Sequence, residues 1–268
     1  MSKPKILYIA QEINPYLPKT PLSLLGVDLP RTIQENGYEV RTFMPKYGII
    51  NERRNQLHEV IRLSGLNISI DDTDHPLIIK VATLQPSRMQ VYFIDNDDYF
   101  LHHSAKNLET RCNPEDNDER VIFFTRGVIE TVRKLRWEPE IIHIIGWVGA
   151  LAPLYLKKFF SEDPIFRNSK IIYSLFDDNF EGTLDPRIGE KLRMDGFEDE
   201  HIKHILENPD CLALHRTAID YSDAVVEASG NIPAELIDYA IAAGKPVMRF
   251  PGEDFGETYL KFYESLNQ

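Results

Sequence analysis

The sequence predicts an α/β fold, a doubly wound, Rossmann-like and mostly parallel sheet with helices on both faces. Three observations carry this expectation. Short runs such as Ile6–Ala10, Ile141–Ile145 and Ile171–Leu175 are apolar almost throughout, as strands covered on both faces are. Segments with helical spacing of apolar residues separate them, and the two kinds alternate along most of the chain. No internal repeat, low-complexity tract or linker interrupts the pattern, so one domain over residues 1–268 is expected.

Taken in order, Lys5–Ala10 is the first strand, followed by a loop through Lys19. Leu22 to Glu35 reads as a helix stopped by Gly37, with Pro30 expected to bend or divide it. Glu39–Met44 is the second strand. Residues 57–70, 77–85 and 89–95 are β-rich and closely spaced, which predicts a hairpin-like excursion. Asn117 or Asp118 can cap a long helix whose Val121, Phe124, Val128, Val132 and Leu135 share one face, a core stripe. Glu140–Ile145 is a buried strand leading into a helix from Trp147 to Phe160, and Lys170–Leu175 is another strand. Residues 185–220 read as polar helices forming an α-hairpin or a cap. Asp223–Val226 is a strand, and Pro233–Ala243 a helix with proline at its start. A strand at Pro246–Phe250 and a helix to Leu266 close the chain, and this last unit (246–266) is expected to pack back on the domain.

Composition excludes several functions. Thirty basic against 42 acidic residues give a net charge of −12, which argues against nucleic acid or an anionic membrane surface as partner. No segment approaches the ~20 apolar residues of a membrane span, and the N-terminal stretch lacks the pattern of a secretory signal. Cys112 and Cys211 have no metal-site spacing around them, so a cytoplasmic protein with two free thiols is the expectation. His201 and His204 stand at i and i+3 among Glu200 and Glu207, a solvated helix more than a metal site. His102-His103 reads as a surface pair. Neither GxGxxG nor GxxxxGK[ST] follows the first strand, and no GxSxG elbow occurs. No metal and no cofactor is expected.

In an open parallel sheet, ligands collect beyond the carboxyl ends of the strands. The loops at 11–21, 144–149, 176–183 and 227–231 therefore matter. Gln11-Glu12-Ile13-Asn14-Pro15-Tyr16-Leu17-Pro18-Lys19-Thr20-Pro21-Leu22 resembles the segment Glu-x-x-Pro-x-x-Lys-Thr-Gly-Gly-Leu of glycogen and starch synthases, with Glu12 and Pro15 matching and, after one extra residue, Lys19 and Thr20. His143-Ile144-Ile145-Gly146-Trp147-Val148-Gly149-Ala150-Leu151 is similar to that family's His-x-His-Asp-Trp-His-x-x-Leu. Ser174 to Gly182 resembles Thr-Ile-His-Asn-Leu-x-Tyr-Gln-Gly, and Tyr221 to Ser229 resembles Tyr-Ala-Asp-x-Val-x-x-Val-Ser. The likeness runs from residue 5 to about residue 230.

The resemblance implies the N-terminal domain of a two-domain, GT-B type, ADP-glucose-dependent glucosyltransferase of α-glucan biosynthesis. In that family the lysine matched by Lys19 meets the donor phosphates, and the Gly-Gly pair lets the backbone approach them. Here Pro21 and Leu22 replace the glycines, Ile145 and Val148 replace imidazoles, and Gly146 replaces the acid. Phe176 and Asp177 stand for the histidine and asparagine of the third loop. An alkyl group neither transfers a proton nor hydrogen-bonds a hydroxyl, and proline offers no N–H. No catalytic residue is therefore assigned; Val148 stands where the family has its histidine. The residues after Gly230 are too few for the family's second, nucleotide-binding domain, where its Arg-x-x-x-x-Lys pair belongs.

These departures imply a chain inactive by itself, serving as a glucan-binding or regulatory module. The alternative is the acceptor half of a split glucosyltransferase completed by a separate nucleotide-binding chain. The expected partners are thus an α-glucan or other sugar ligand and that second polypeptide. Candidate substrate contacts are Glu12, Asn14, Lys19, Thr20, Gly146, Trp147, Asp177 and Ser229, with Trp147 either stacking on a sugar face or packing as a core residue.

Overall fold

A computed structural model describes residues 3–101, 116–252 and 255–266. His102, His103 and Cys112 lie outside the described residues. Among the described residues, nine of ten strands run in the order β10-β9-β8-β7-β1-β2-β6-β5-β3, and β4 pairs with β5 off this path. They are β1 Lys5–Ala10, β2 Glu39–Pro45, β3 His58–Glu59, β4 Leu66–Ile70, β5 Thr73–Leu84, β6 Met89–Asp95, β7 Ile141–Ile145, β8 Lys170–Leu175, β9 Ala224–Glu227 and β10 Val247–Met248. The seven from β10 to β6 pair parallel in register, for example Tyr8 with both Thr42 and His143. β5 folds antiparallel onto β6 and carries β3 and β4 as antiparallel partners. The chain moves outward from β1 to β2 on one side and returns to β7 on the other, so the switch in strand order falls between β1 and β7.

Apolar composition accounts for the centre. In β1 every residue from Ile6 to Ala10 is buried, and so is the whole of β7. Helices cover the sheet: α1 Pro21–Glu35, α2 Asn117–Leu135, α3 Ala152–Phe159, α4 Ile188–Met194, α5 Lys203–Glu207, α6 Cys211–Tyr221, α7 Ala234–Ala242 and α8 Phe255–Leu266.

Four helical expectations change. Pro30 neither divides nor ends α1. It gives up one backbone hydrogen bond, but its ring lies on the same buried face as Val27 and Ile33. The cap of α2 is Asp116 rather than Asn117 or Asp118. Asp118 is drawn instead to Lys191, whose Nζ donates to its Oδ2 at 2.7 Å. The helix expected from Trp147 to Phe160 is broken into a single 3₁₀ turn at 147–149 and α3, because Pro153 has no N–H to continue the ladder. Within 185–220 the longest helix, α6, is not a polar cap: Leu214, Ala218 and Ile219 are fully buried.

α8 is fastened to the sheet by polar as well as apolar contacts. Tyr259 and Tyr263 are 1% and 0% exposed. The Tyr263 hydroxyl lies 2.6 Å from Nδ1 of His143 on β7 and 3.0 Å from the Tyr8 hydroxyl on β1, while His143 Nε2 meets Ser174 Oγ on β8 at 2.6 Å. Burial drives the His143 pKa from 6.5 down to about 3, so the ring is neutral, with each nitrogen engaged.

Candidate functional site

The carboxyl ends of β1, β8, β9 and β10 open on two adjoining depressions. The larger, a cleft of about 590 Å³, has aromatic walls in Phe176, Phe250 and Phe255, with Asp28, Asp177, Ser229 and Asn231 among its polar groups. The smaller, about 270 Å³, is bounded by Glu12, Thr20, Leu22 and Asp178, and shares Pro21, Phe176 and Asp177 with the first.

The loop after β1 is pulled against α1. Asn14 N donates to the Ser23 carbonyl at 2.9 Å, and a Cβ at Gly26 would lie 2.0 Å from the Glu12 carbonyl oxygen, so this approach requires glycine. Thr20 caps α1 through a reciprocal pair: Ser23 N donates to Thr20 Oγ1 at 3.0 Å, and Thr20 N donates to Ser23 Oγ at 2.9 Å. Pro21 contributes no N–H. The end of α1 that would receive an anion is thus largely satisfied from within the chain. Thr20 Oγ1 also donates to Oε2 of Glu12, at 3.0 Å, placing a fully buried carboxylate beside that helix end.

At the strand-order switch, Gln11 occupies the crevice. Its Oε1 accepts from Val148 N at 3.3 Å, and its Nε2 donates to Asp178 Oδ2 at 2.5 Å. Gly146 has φ +92°, and a Cβ there would come within 2.8 Å of the Gln11 side chain. Glycine is needed here on both counts.

Of the residues expected to touch substrate, Glu12, Thr20 and Asp177 meet around the smaller depression, and Asp177 and Ser229 around the cleft. Asn231 links the last two. Its Nδ2 donates to Asp177 Oδ2 at 2.9 Å, and its backbone N donates to Ser229 Oγ at 3.2 Å. Asn14, Lys19, Gly146 and Trp147 line neither hollow. Asn14 turns its amide to the Leu17 carbonyl, and Lys19 is exposed. The stacking role for Trp147 is corrected: its ring is 3% exposed and set edge-on to Phe180 at 4.8 Å, so no face is open to a sugar. Val148 is also buried, at 2%.

Gln11, Asn231, Phe250 and Phe255 were missed. Gln11 is the first residue after the strand that borders the switch, which is the signal that would have found it. Phe250 reaches the cleft from the loop after β10, and Phe255 from the first residue of the returning α8. His201 and His204 do not converge: His204 Nε2 faces Asp220 and Tyr239, and the group Glu198, Glu200, His201 is a surface cluster with both acids exposed. No helix of the described residues is long and apolar enough to cross a membrane.

This sheet order, with loops gathered at the carboxyl edge, defines a doubly wound, Rossmann-like α/β fold. The model of the starch synthase catalytic domain matches residues 5–245, and the chain belongs to the glycogen/starch synthase family. It is 35% identical over 212 residues to a glycogen synthase of Chlorobium chlorochromatii (79% of this chain, 41% of that one). It is 34% identical over 264 residues to a glycogen synthase of Pelodictyon phaeoclathratiforme (98% and 52%). Among solved structures, the catalytic domain of starch synthase IV from Arabidopsis thaliana, bound to ADP and acarbose, superposes with a TM-score of 0.75 at 18% identity, over 93% of this chain and 51% of that one. The chain spans about half the length of the curated relatives it matches.

Proposed function

We propose that this chain is a synthase-derived module that binds an α-glucan and does not transfer glucose by itself. One observation supports this reading above the others. Among the described residues, every titratable side chain lining the two hollows is a carboxylate (Glu12, Asp28, Asp177, Asp178), and none is a lysine, arginine or histidine. Asp28 has its charge matched by Arg31 at 2.5 Å. A nucleoside diphosphate would face the Asp177 carboxylate and would meet few backbone donors at the start of α1. Sugar transfer needs positive or hydrogen-donating groups where the leaving phosphate gathers charge. With Val148 in the histidine's place, no imidazole serves either.

A neutral sugar fits the same surface. Phe176, Phe250 and Phe255 offer apolar faces, and Asp177, Ser229 and Asn231 offer fixed hydrogen-bonding groups, the combination expected of a small-molecule cleft. Calorimetric titration with maltoheptaose, ADP and ADP-glucose tests the reading. Heat with maltoheptaose alone is expected; heat with ADP-glucose and none with maltoheptaose would sink it.

A second reading rests on the match of residues 5–245 to the starch synthase catalytic domain. This module would supply the acceptor side, and a nucleotide-binding domain on another polypeptide would supply the cations. Copurification with a protein carrying an Arg-x-x-x-x-Lys nucleotide domain, and primer extension only by the mixture, is the outcome that would select it.

A further inference from the structure

A cluster of polar side chains gathers at the start of α6. Cys211 opens that helix and His215 stands one turn further along, so both side chains share one face. The expectation that Cys211 has no metal-site spacing around it overlooks this pair. Asn179 joins them from the loop after β8. Cys211 Sγ lies 3.3 Å from Asn179 Oδ1 and 3.5 Å from His215 Nε2, and Nε2 lies 2.8 Å from the same oxygen. None of the three residues lines the cleft or the smaller depression.

A buried thiol packs as a small apolar group and is only a weak donor, so its burial alone calls for no polar partner. Here an imidazole and an amide oxygen both converge on it. With edges of 2.8, 3.3 and 3.5 Å, the three donor atoms leave a point about 2 Å from each, close to the ~2.0–2.3 Å of zinc–nitrogen and zinc–sulfur bonds. The ring is held for the same task. Its other nitrogen, Nδ1, is 2.7 Å from the hydroxyl of the fully buried Tyr173, the kind of outer contact that orients a metal-ligating histidine. Burial lowers the His215 pKa to about 4, so the imidazole is neutral and able to ligate near pH 7. Cys211 and His215 are buried, whereas Asn179 is exposed, so an ion would enter from the Asn179 side.

We infer that Cys211, His215 and Asn179 form a binding site for one thiophilic divalent ion, zinc by its donor set, with water completing the coordination. The thiol proton passes to solvent as the ion binds. The inference goes beyond glucan binding and does not depend on it. The ion would tie α6 to the loop that carries Phe176 and Asp177 to the cleft, two and three residues before Asn179.

The test is titration of the chelator-treated chain with Co²⁺, read by thiolate-to-cobalt charge-transfer absorption, and then with Zn²⁺, read by the thermal midpoint. It compares the intact chain with Cys112→Ser, Cys211→Ser, His215→Gln and Asn179→Ala. One Co²⁺ per chain is expected, with the absorption unchanged in Cys112→Ser and absent in Cys211→Ser. Binding should be about tenfold weaker in His215→Gln and in Asn179→Ala, and the latter alters an exposed loop position that leaves the core intact. Zn²⁺ should displace the cobalt and raise the midpoint of the intact chain saturably, but not that of Cys211→Ser. No charge-transfer absorption at saturating Co²⁺ overturns the proposal. So does absorption that survives in Cys211→Ser, which would mean an adventitious ion only, or absorption that is lost in Cys112→Ser. Unweakened binding in Asn179→Ala would remove the third ligand and with it the tie to the cleft loop.

Discussion

His143 stands in the middle of β7 with Tyr263 on one ring nitrogen and Ser174 on the other, and acid should destabilise the fold through it. Burial lowers its pKa to about 3, against 6.5 for an unfolded histidine. Between these values the unfolded chain binds the proton and the folded chain does not. Stability is therefore full above about pH 6.5 and falls as pH drops toward 3, with a slope of about 1.4 kcal/mol per pH unit. At pH 5 the loss is about 2 kcal/mol. His215, also lowered by burial, to about 4, adds a similar amount. Asp95, Asp118 and Asp195, raised chiefly by burial, act in the opposite sense, so the intact chain alone does not isolate the term. The variant His143→Gln does. Urea unfolding at pH 7.5 and pH 5.0 should show it less stable by about 1–3 kcal/mol at the higher pH, from the disturbed buried hydrogen bonds. That gap should shrink by about 2 kcal/mol at pH 5.0. A gap that is the same at both pH values would refute the buried, neutral imidazole.

Other consequences can be checked with similar means. Tyr263→Phe removes the hydroxyl shared by His143 and Tyr8 and should cost about 1–3 kcal/mol in urea unfolding, without changing the slope of the transition; no change would mean that the hydroxyl contributes nothing to holding α8. Gly146→Ala forces a side chain into φ +92° and onto Gln11, so a loss of about 1–3 kcal/mol is expected, read as a lowered thermal midpoint. Val148→His returns the family's imidazole to a fully packed position. It should cost about 1–3 kcal/mol through overpacking and yield no glucosyl transfer, because among the described residues the cleft still has no cation; measurable transfer would show that the histidine alone was missing.

Much of the fold was legible because the strands are apolar on both faces. β1 and β8 fall where composition places them, and β7 within one residue. Less legible were effects that depend on distant partners. Asp118 is a helix-start residue by sequence, yet the buried amine of Lys191 claims it. Trp147 has the family's position, but Phe180, from a loop more than thirty residues on, covers it. The site was half legible: strand ends located Glu12, Thr20, Asp177 and Ser229, whereas Phe250 joins them from the loop after the two-residue β10 and Phe255 only through the return of α8, which rests on two tyrosines that no local pattern singles out. Gln11 was readable in principle. It was passed over because the resemblance begins one residue later, at Glu12.

Primer extension measures the central claim most directly. The purified chain, given ADP-[¹⁴C]glucose and maltoheptaose, should put no label into longer oligosaccharides while still binding maltoheptaose in the same buffer. Label appearing in maltooctaose, at a rate proportional to the amount of this protein and lost with it, would contradict the account.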